Sequence, residues 1–553
     1  MRVSTDKKKL YQFLLDLVRI PSVSPSKTEE NKIANLLRET LQETPYFKEN
    51  PQDLLLVPME KDPFGRHILF AIVRAKPEVE ETLILMGHMD VVDTSACGSL
   101  KDLAFEAEEY TRQIAKTNLP PEARQDLESG NWLFGRGVAD MKGGIAAGTA
   151  ILCEAASGHF NPKVNLAGLF VCDEENNSGG MLRAVSLLAD LQDKGLKFVG
   201  CIDLEPTFAE GTEGGPSVYL GSIGKINPFF YFVGKETHVG EYYEGLTAAS
   251  MVSQLNILLD GNPEFADELE GTAYPPYGCM RQLDLRREYS ATIMTKAITF
   301  YSYLTASKMP RQIIEEIKNL SLEAQYRAIS QYEKFAKGYM ERNGSGGTIK
   351  KWEPKAFTYG EIVSMAKAKF DSQEVTRIIK KALNSCPPNF DEREKAFAIV
   401  EALTNACEIQ PPYSVVGILP PWYPHRTNLC RNNGEKLMQK TAQAITRQAK
   451  DHFGVNLQVR KMFEGVSDLS YCGFEGCAED IEAVKANLPG WEKLYSFPGE
   501  ELLKLDIPIL SFGPYGKDAH KNTERIHIPY FLETYPNLLK GAIRTIAELS
   551  STN

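Results

Sequence analysis

Three consecutive acids at the end of an apolar run constrain this chain more than any other feature. In NLAGLFVCDEENNSGG (residues 165–180), Leu166, Leu169, Phe170 and Val171 lead into Asp173, Glu174 and Glu175. An apolar run of this length and composition reads as a buried strand. Like charges at the tip of a buried strand repel one another and resist losing water. The fold must therefore bring something positive to them, and a bound cation meets that requirement.

The surrounding sequence alternates strand and helix. Strand patterns at 67–75, 82–92 and 197–207 frame helix patterns at 143–156 and 179–195. Such alternation predicts an α/β catalytic domain with a mostly parallel sheet flanked by helices. Ligands of such sheets gather at the carboxyl ends of the strands, where these acids lie. Near residue 222 the character changes. Strand-like INPFFYFVGKETHVG precedes a helix pattern, TAASMVSQLNILLDG, and then a long stretch read as helical over about 295–340. The loop NGSGG (343–347) and further amphipathic helices follow, and α/β character returns with a strand at 413–424. With 553 residues the chain exceeds one core. The expected organisation is a catalytic domain in two parts, 1–221 and 411–553. An inserted α+β lid or dimerisation domain, 222–410, interrupts it, enlarged by extra helices between about 295 and 405.

Composition excludes several partners. The charge balance, 62 − 73 = −11, disfavours nucleic acid and anionic membrane surfaces. No segment reaches the roughly 20 apolar residues of a membrane span. The N-terminus reads as an amphipathic helix (Leu10, Phe13, Leu14, Leu17, Val18) rather than a signal peptide. Ten scattered cysteines signal neither a thiolate zinc site nor a disulfide framework, so a cytoplasmic protein is expected.

Groups of metal-ligand type recur at other strand ends and loops: His88 and Asp90 in GHMD, Asp140 in VADMKGG, Asp203 and Glu205 in DLEPT, and His520 in HKNTE. Alone, each has an ordinary explanation, such as Asp140 capping a helix or the DEEN acids complementing a helix dipole. Recurrence at five apparent strand ends of one sheet makes coincidence a poor account. Two imidazoles and several carboxylates suit a pair of zinc-like ions sharing one carboxylate.

The blocks LMGHMDVVD, LFGRGVADMKGG, CDEEN, LEPT and GPYGKDAHKNTE, in that order, resemble the signatures of the dinuclear zinc amidohydrolases and metallopeptidases. That family includes aminoacylase, acetylornithine deacetylase, succinyl-diaminopimelate desuccinylase and the glutamate carboxypeptidases. RIPSVSPS near the start and EGVSDLSY (464–471), standing for the family's Gly-Gly-Thr-Asp loop, extend the likeness. Length and insertion are closest to a member of arginine utilisation. The resemblance implies a metal-dependent amidohydrolase or peptidase acting on a small N-acyl amino acid or short peptide, with a place in arginine catabolism. It implies that His88 and Asp140 hold one metal, that His520, Asp140 and Glu175 hold the other, and that Glu174 is the general base. Zinc is the expected ion, with manganese or cobalt as alternatives. Asp90 would sit on the side of the strand that His88 faces and take its imidazole N–H. Asp203 and Glu205 share a strand face; the family's Glu-Pro-Thr members favour Glu205, and Asp203 stays open. His238, the one histidine in 222–410, resembles the lid histidine that stabilises an oxyanion across a homodimer. The substrate-carboxylate arginine stays unassigned, Arg286 being the available candidate. Two other classes compete: a catalytically silent relative binding a partner through its helical insertion, and a two-metal phosphoryl-transfer enzyme. Intact ligand and base positions argue against the first, and the lack of a phosphate-cradling loop against the second.

Overall fold

The computed structural model describes all residues except 1, 27, 61, 209–214, 287–288, 345–347 and 552–553. The last three residues of the NGSGG loop lie outside the described residues. The chain forms two compact units, one of residues 1–223, 426–474 and 500–553, the other of residues 224–425 and 475–499.

The first unit is built on an eight-stranded sheet. Its strands are β1 (Leu54–Pro58), β2 (His67–Val73), β3 (Glu81–His88), β4 (Asn165–Val171), β5 (Lys197–Asp203), β6 (Ser217–Tyr219), β7 (Gln458–Arg460) and β8 (Ile509–Ser511). They lie in the order β1-β2-β4-β3-β5-β8-β6-β7. The four central strands β4, β3, β5 and β8 are parallel, while β1, β2 and β6 join through antiparallel pairs. Their register sets the site: His88 pairs with Val171, and Met86 with Asp203, so three carboxyl ends finish side by side. Every residue of helix Lys142–Ala156 is buried. A Cβ at Gly144 would lie 2.0 Å from the Leu204 carbonyl oxygen, and one at Gly148 2.5 Å from Leu204 Cδ1. Glycine there lets the helix touch the segment carrying Asp203 and Glu205. A smaller antiparallel sheet of Trp132–Phe134, Arg525–His527 and Gly516–Lys517 carries the loops of Asp140 and His520.

In the second unit the strands Gly278–Asp284, Lys296–Thr305, Gly224–Val233, Tyr413–Tyr423 and Ala356–Thr358 form a five-stranded sheet in that order. The first four, with helices Ala248–Leu259 and Pro310–Arg342, follow a βαββαβ path like the split βαβ motif. Both helices meet one face: Asn256 accepts from the Tyr301 hydroxyl, and Gln325 donates to Ser414. The opposite face is covered by helices Tyr359–Lys369, Ser372–Asn384 and Glu392–Cys407, with Ile362, Val375, Phe397 and Val400 against Phe229, Tyr231 and Val415. The helical reading of the stretch from 295 is corrected here. Lys296–Thr305 is a strand whose Ile298, Thr299, Phe300, Tyr301 and Tyr303 are β-branched or aromatic, and the helix begins only at Pro310. Beyond the βαββαβ core lie the short strand and three helices of 356–407, the small hairpin Glu268–Leu269/Thr272–Ala273 and the helix Ala478–Ala486. The strand Tyr413–Tyr423 pairs with Gly224–Val233, so this unit runs on to His425. Among the described residues no helix is long and apolar enough to cross a membrane.

Candidate metal centre

Asp140 stands at the middle of the site with its two carboxylate oxygens divided between two histidines. Oδ1 is 3.1 Å from His88 Nε2, and Oδ2 is 3.1 Å from His520 Nε2. Each histidine has a second carboxylate: Glu205 Oε1 lies 3.1 Å from His88 Nε2, and Glu175 Oε2 lies 3.1 Å from His520 Nε2. His88, Asp140 and Glu175 alone offer three ligand atoms within 4.8 Å of one another. Bonds of about 2.0–2.1 Å to a tetrahedral ion put its ligand atoms about 3.3 Å apart, so the 3.1 Å spacings fit two such ions. Glu175 Oε1 is buried without a hydrogen-bond partner, a state that a nearby cation relieves.

The three acids of the apolar run divide their work. Asp173 turns the chain in a left-handed conformation (φ 69°) and faces away from the histidines. Its Oδ1 takes a 2.6 Å bond from the buried Arg66, which also pairs with Asp62 at 3.0 Å and Glu30 at 3.4 Å. Glu175 joins the His520 group. Glu174 Oε2 is 3.9 Å from His88 Nε2, beside rather than inside the ligand set.

Asp90 does not act as the strand alternation predicts, and Asp203, left open beside Glu205, is engaged away from the histidines. His88 Nδ1 meets the main-chain carbonyl of Asp90 at 3.0 Å, while the Asp90 carboxylate is 3.8 Å away. That carboxylate instead accepts the backbone N–H groups of Glu174 and Glu175, each at 3.1 Å. The strand ends at His88, so period-two alternation no longer holds two residues later. Asp203 accepts a 2.9 Å bond from Ser467 Oγ, whereas Glu205 stands at His88. His238 is exposed in the second unit, and its Nδ1 accepts the Gly240 N–H at 3.1 Å. Arg286 lies in that unit as well, bonded to Thr292 and Thr295.

Two supports escape the sequence reading. Arg136 and Glu524, both buried, pair at 2.5 Å. Arg136 also donates to the His520 carbonyl at 3.0 Å, and Glu524 accepts from the Ala139 and Asp140 N–H groups at 3.3 Å. This pair ties the Asp140 loop to the His520 loop across 388 residues of sequence. The signal that could have found them is a charged residue inside each quoted block, Arg136 in FGRG and Glu524 in KNTE. Removing one partner of a buried pair strands the other charge, at about 3–5 kcal/mol. Glu524→Ala is accordingly expected to lower the thermal midpoint by several degrees and to weaken metal retention, read by differential scanning fluorimetry and metal analysis after dialysis.

Crowding so many acids has electrostatic consequences. Burial pushes Glu205 and Asp468 up to about 8 and Asp203 up to about 7. Burial, followed by the charges of Asp468, Glu175 and Glu205, raises Glu174 well above the usual range, against the pull of His88. Bonds donated by the His520 ring to the Asp140 and Glu175 carboxylates raise His520 to about 11. Burial raises Asp140, but the His520 and His88 bonds overcome it and hold Asp140 below its ordinary value. Without metal, the raised acids bind protons more tightly folded than unfolded. For Glu205, Asp468 and Asp203 the penalty is absent below the unfolded values near 4 and complete once pH passes about 8. The gain from His520 is full below its unfolded 6.5 and is lost toward 11. Both trends point the same way, so the metal-free protein is expected to lose thermal stability steadily from pH 5 to 9. Metal ligands must be deprotonated, so the rise in melting temperature on adding zinc should grow over the same range. Melting curves with and without zinc after chelation check both slopes.

The sequence matches the model of peptidase family M20/M25/M40 over residues 84–546. It is 33% identical over 556 residues to protein YqjN of Bacillus subtilis, covering 99% of this chain and 98% of that one. It is 26% identical over 533 residues to protein RocB of the same bacterium, covering 95% and 92%. Among solved structures, a tripeptidase from Staphylococcus aureus has a similar fold, with a TM-score of 0.52 at 14% identity, covering 99% of this chain and 100% of that one.

Proposed function

This chain belongs to peptidase family M20/M25/M40, and on that premise we propose that its site holds two divalent ions and cleaves the amide bond of a small N-acyl amino acid or short peptide. The family is one of metal-dependent hydrolases of amide and peptide bonds, and this chain is such a hydrolase. The ligands we assign are His88, Asp140 and Glu205 for one ion, and His520, Asp140 and Glu175 for the other, with Asp140 bridging. Zinc suits this mixture of imidazole and carboxylate, and manganese or cobalt fits the same donors. The observation that carries the reading is the division of the Asp140 oxygens between two histidines at equal 3.1 Å distances.

Divalent ions bound there supply the Lewis acidity that brings the pKa of water toward 7 and polarises an amide carbonyl. The protein's own part is positioning and proton transfer. Glu174 takes the proton of the attacking water and hands it to the leaving nitrogen, the task of a carboxylate with a raised pKa. Asp90 keeps Glu174 and Glu175 in place through their backbone N–H groups. His88 donates from Nδ1 to the Asp90 carbonyl, which leaves Nε2 free as a ligand. His238 is assigned as oxyanion donor to a partner copy in a homodimer. Its Nδ1 accepts the Gly240 N–H, which leaves the proton of the neutral ring on Nε2, free to donate.

The full-length likeness to RocB supports a place in arginine catabolism. All ten cysteines are free thiols, which supports a reducing cytoplasm. The test is metal content measured together with hydrolysis of N-acyl amino acids and dipeptides, including arginine, citrulline and ornithine derivatives. About two ions per chain and turnover of one substrate class are expected. Metal without turnover of any amide overturns the reading.

A further inference from the structure

His238 is carried on an arm of the second unit. Two neighbouring strands of the five-stranded sheet end their pairing at Val233 and Lys296 and continue beyond it as this arm. Gly234 donates its N–H to the Thr295 carbonyl at 2.7 Å, Ile293 to Thr237 at 3.1 Å and Val239 to Ala291 at 2.9 Å. His238 and Thr292 face each other in an antiparallel bridge. The bonds flank this pair instead of joining it, the class of pair in which opposed side chains stand closest. Among the described residues the tip, where 237–239 meet 291–293, is a two-stranded ribbon, and such ribbons are marginal alone. His238 and Val239 are both exposed, so burial does little to fix them.

Arg286 grips this arm. Its Nη1 donates to the Thr292 carbonyl at 3.4 Å and also to the Thr292 hydroxyl. Its Nη2 donates to the Thr295 hydroxyl at 3.2 Å and to Glu236 at 3.4 Å. Thr292 and Thr295 lie on one side of the arm and Glu236 on the other, so a single guanidinium spans both. The Arg286 backbone is itself held by Asp284, the last residue of the strand Gly278–Asp284, whose carboxylate accepts the Arg286 N–H at 2.9 Å. The side chain therefore ties the arm to the edge of the sheet. Both terminal nitrogens are engaged, which leaves a substrate carboxylate no free fork to pair with.

Resting on the assignment of His238 as oxyanion donor given above, we propose that Arg286 is a positioning residue for His238 and not the receptor of a substrate carboxylate. An oxyanion donor acts when its N–H is already aimed at the place where charge develops, and a misplacement of about 1 Å can cost about 100-fold in rate. An exposed histidine on a narrow ribbon has no such fixity of its own. Arg286 supplies it by holding Thr292, the residue directly opposite. A donor to the oxyanion engages the transition state more than the bound substrate, so loss of its brace falls on kcat. Loss of a carboxylate receptor falls on KM.

The test is a double-mutant cycle on the zinc-loaded protein, joined to amide hydrogen exchange on the metal-free protein. Arg286→Ala is expected to lower kcat by about 10- to 100-fold with KM within about 2-fold of wild type. His238→Ala should lower kcat by about 100- to 1,000-fold, and the double variant should be no slower than His238→Ala alone. Thr292→Val removes one hydroxyl from the grip of Arg286 and keeps a strand-forming side chain, so it should lower kcat in the same direction by a smaller factor. In Arg286→Ala the amides of Val239 and Ile293 should exchange about 10-fold faster or more, while those of the strand Lys296–Thr305 keep their wild-type rates and show the unit folded. If that variant does not fold, Thr292→Val carries the same two readouts. A raised KM with unchanged kcat in Arg286→Ala, or losses that multiply in the double variant, would make Arg286 a group that touches substrate and overturn the proposal. So would unchanged exchange at the arm, or a wild-type rate in Arg286→Ala where His238→Ala is slow. Full activity in His238→Ala removes the oxyanion assignment and this inference with it. Failure of the zinc-loaded wild-type protein on every amide removes the functional reading as a whole, and the inference falls with that too.

Discussion

Glu174→Gln is expected to keep both metal ions and the fold while losing amide hydrolysis by about 100- to 10,000-fold, the range of a single general acid–base group. Glutamine keeps the shape of the side chain, and the bond that positions residue 174 is unaffected because the Asp90 carboxylate holds its backbone N–H. What disappears is the capacity to accept a proton. Glu174 is not in the 3.1 Å ligand sets, its nearest imidazole contact being 3.9 Å, so metal content should stay at the wild-type value. Removing one negative charge from a group that includes Glu175, Glu205 and Asp468 also relieves repulsion, so the metal-free variant should melt no lower than the metal-free wild type. Single-turnover hydrolysis, metal analysis and melting curves separate these effects. Wild-type rates in the variant would move the base to another residue. A large loss of metal would make Glu174 a ligand.

The part of this site legible in the sequence is the part that follows from local geometry. Parallel central strands bring their carboxyl ends together, so apolar runs ending in His88, in Asp173–Glu175 and in Asp203–Glu205 were bound to meet. The recurrence of acids and imidazoles at those ends exposed a metal centre. Alternation failed just beyond the strand ends. It put the Asp90 side chain on the His88 ring, where the carbonyl of Asp90 sits instead. It could not separate Asp203 from Glu205, because the distinction depends on Ser467, more than 260 residues away, which occupies the Asp203 carboxylate. The Arg136–Glu524 pair and the Arg66 cluster were equally hidden, since a long-range ion pair has no periodicity. In the second unit, the strand 296–305 was absorbed into a helical reading because it stands directly before a 33-residue helix. The return of 475–499 to that unit leaves no mark in composition.

Asp140→Asn is expected to reduce bound metal from about two ions per chain to one or fewer and to bring amide hydrolysis below detection. The two proposed ion positions share this side chain and no other. His88 would keep only Glu205 at 3.1 Å, and His520 only Glu175. Asparagine offers one oxygen in place of two, and whichever imidazole faces its NH₂ group meets a donor where an acceptor stood. Changes one shell further out already weaken metal binding by about 10- to 100-fold, so loss of a shared ligand should exceed that. The metal-free variant carries a second, opposite-facing test. Against the effect of burial, the His520 and His88 bonds hold Asp140 below its ordinary value, so its neutralisation removes a carboxylate that raises the pKa of both rings, one of them buried. Their titration should then move toward the ordinary histidine range, which histidine ring resonances followed by NMR against pH would show. If Asp140 were instead a helix cap with incidental histidine neighbours, the variant would bind zinc as the wild type does. A loss of one ion with the other retained identifies the weaker half, and a loss of both identifies the carboxylate as the element that makes the two positions one centre.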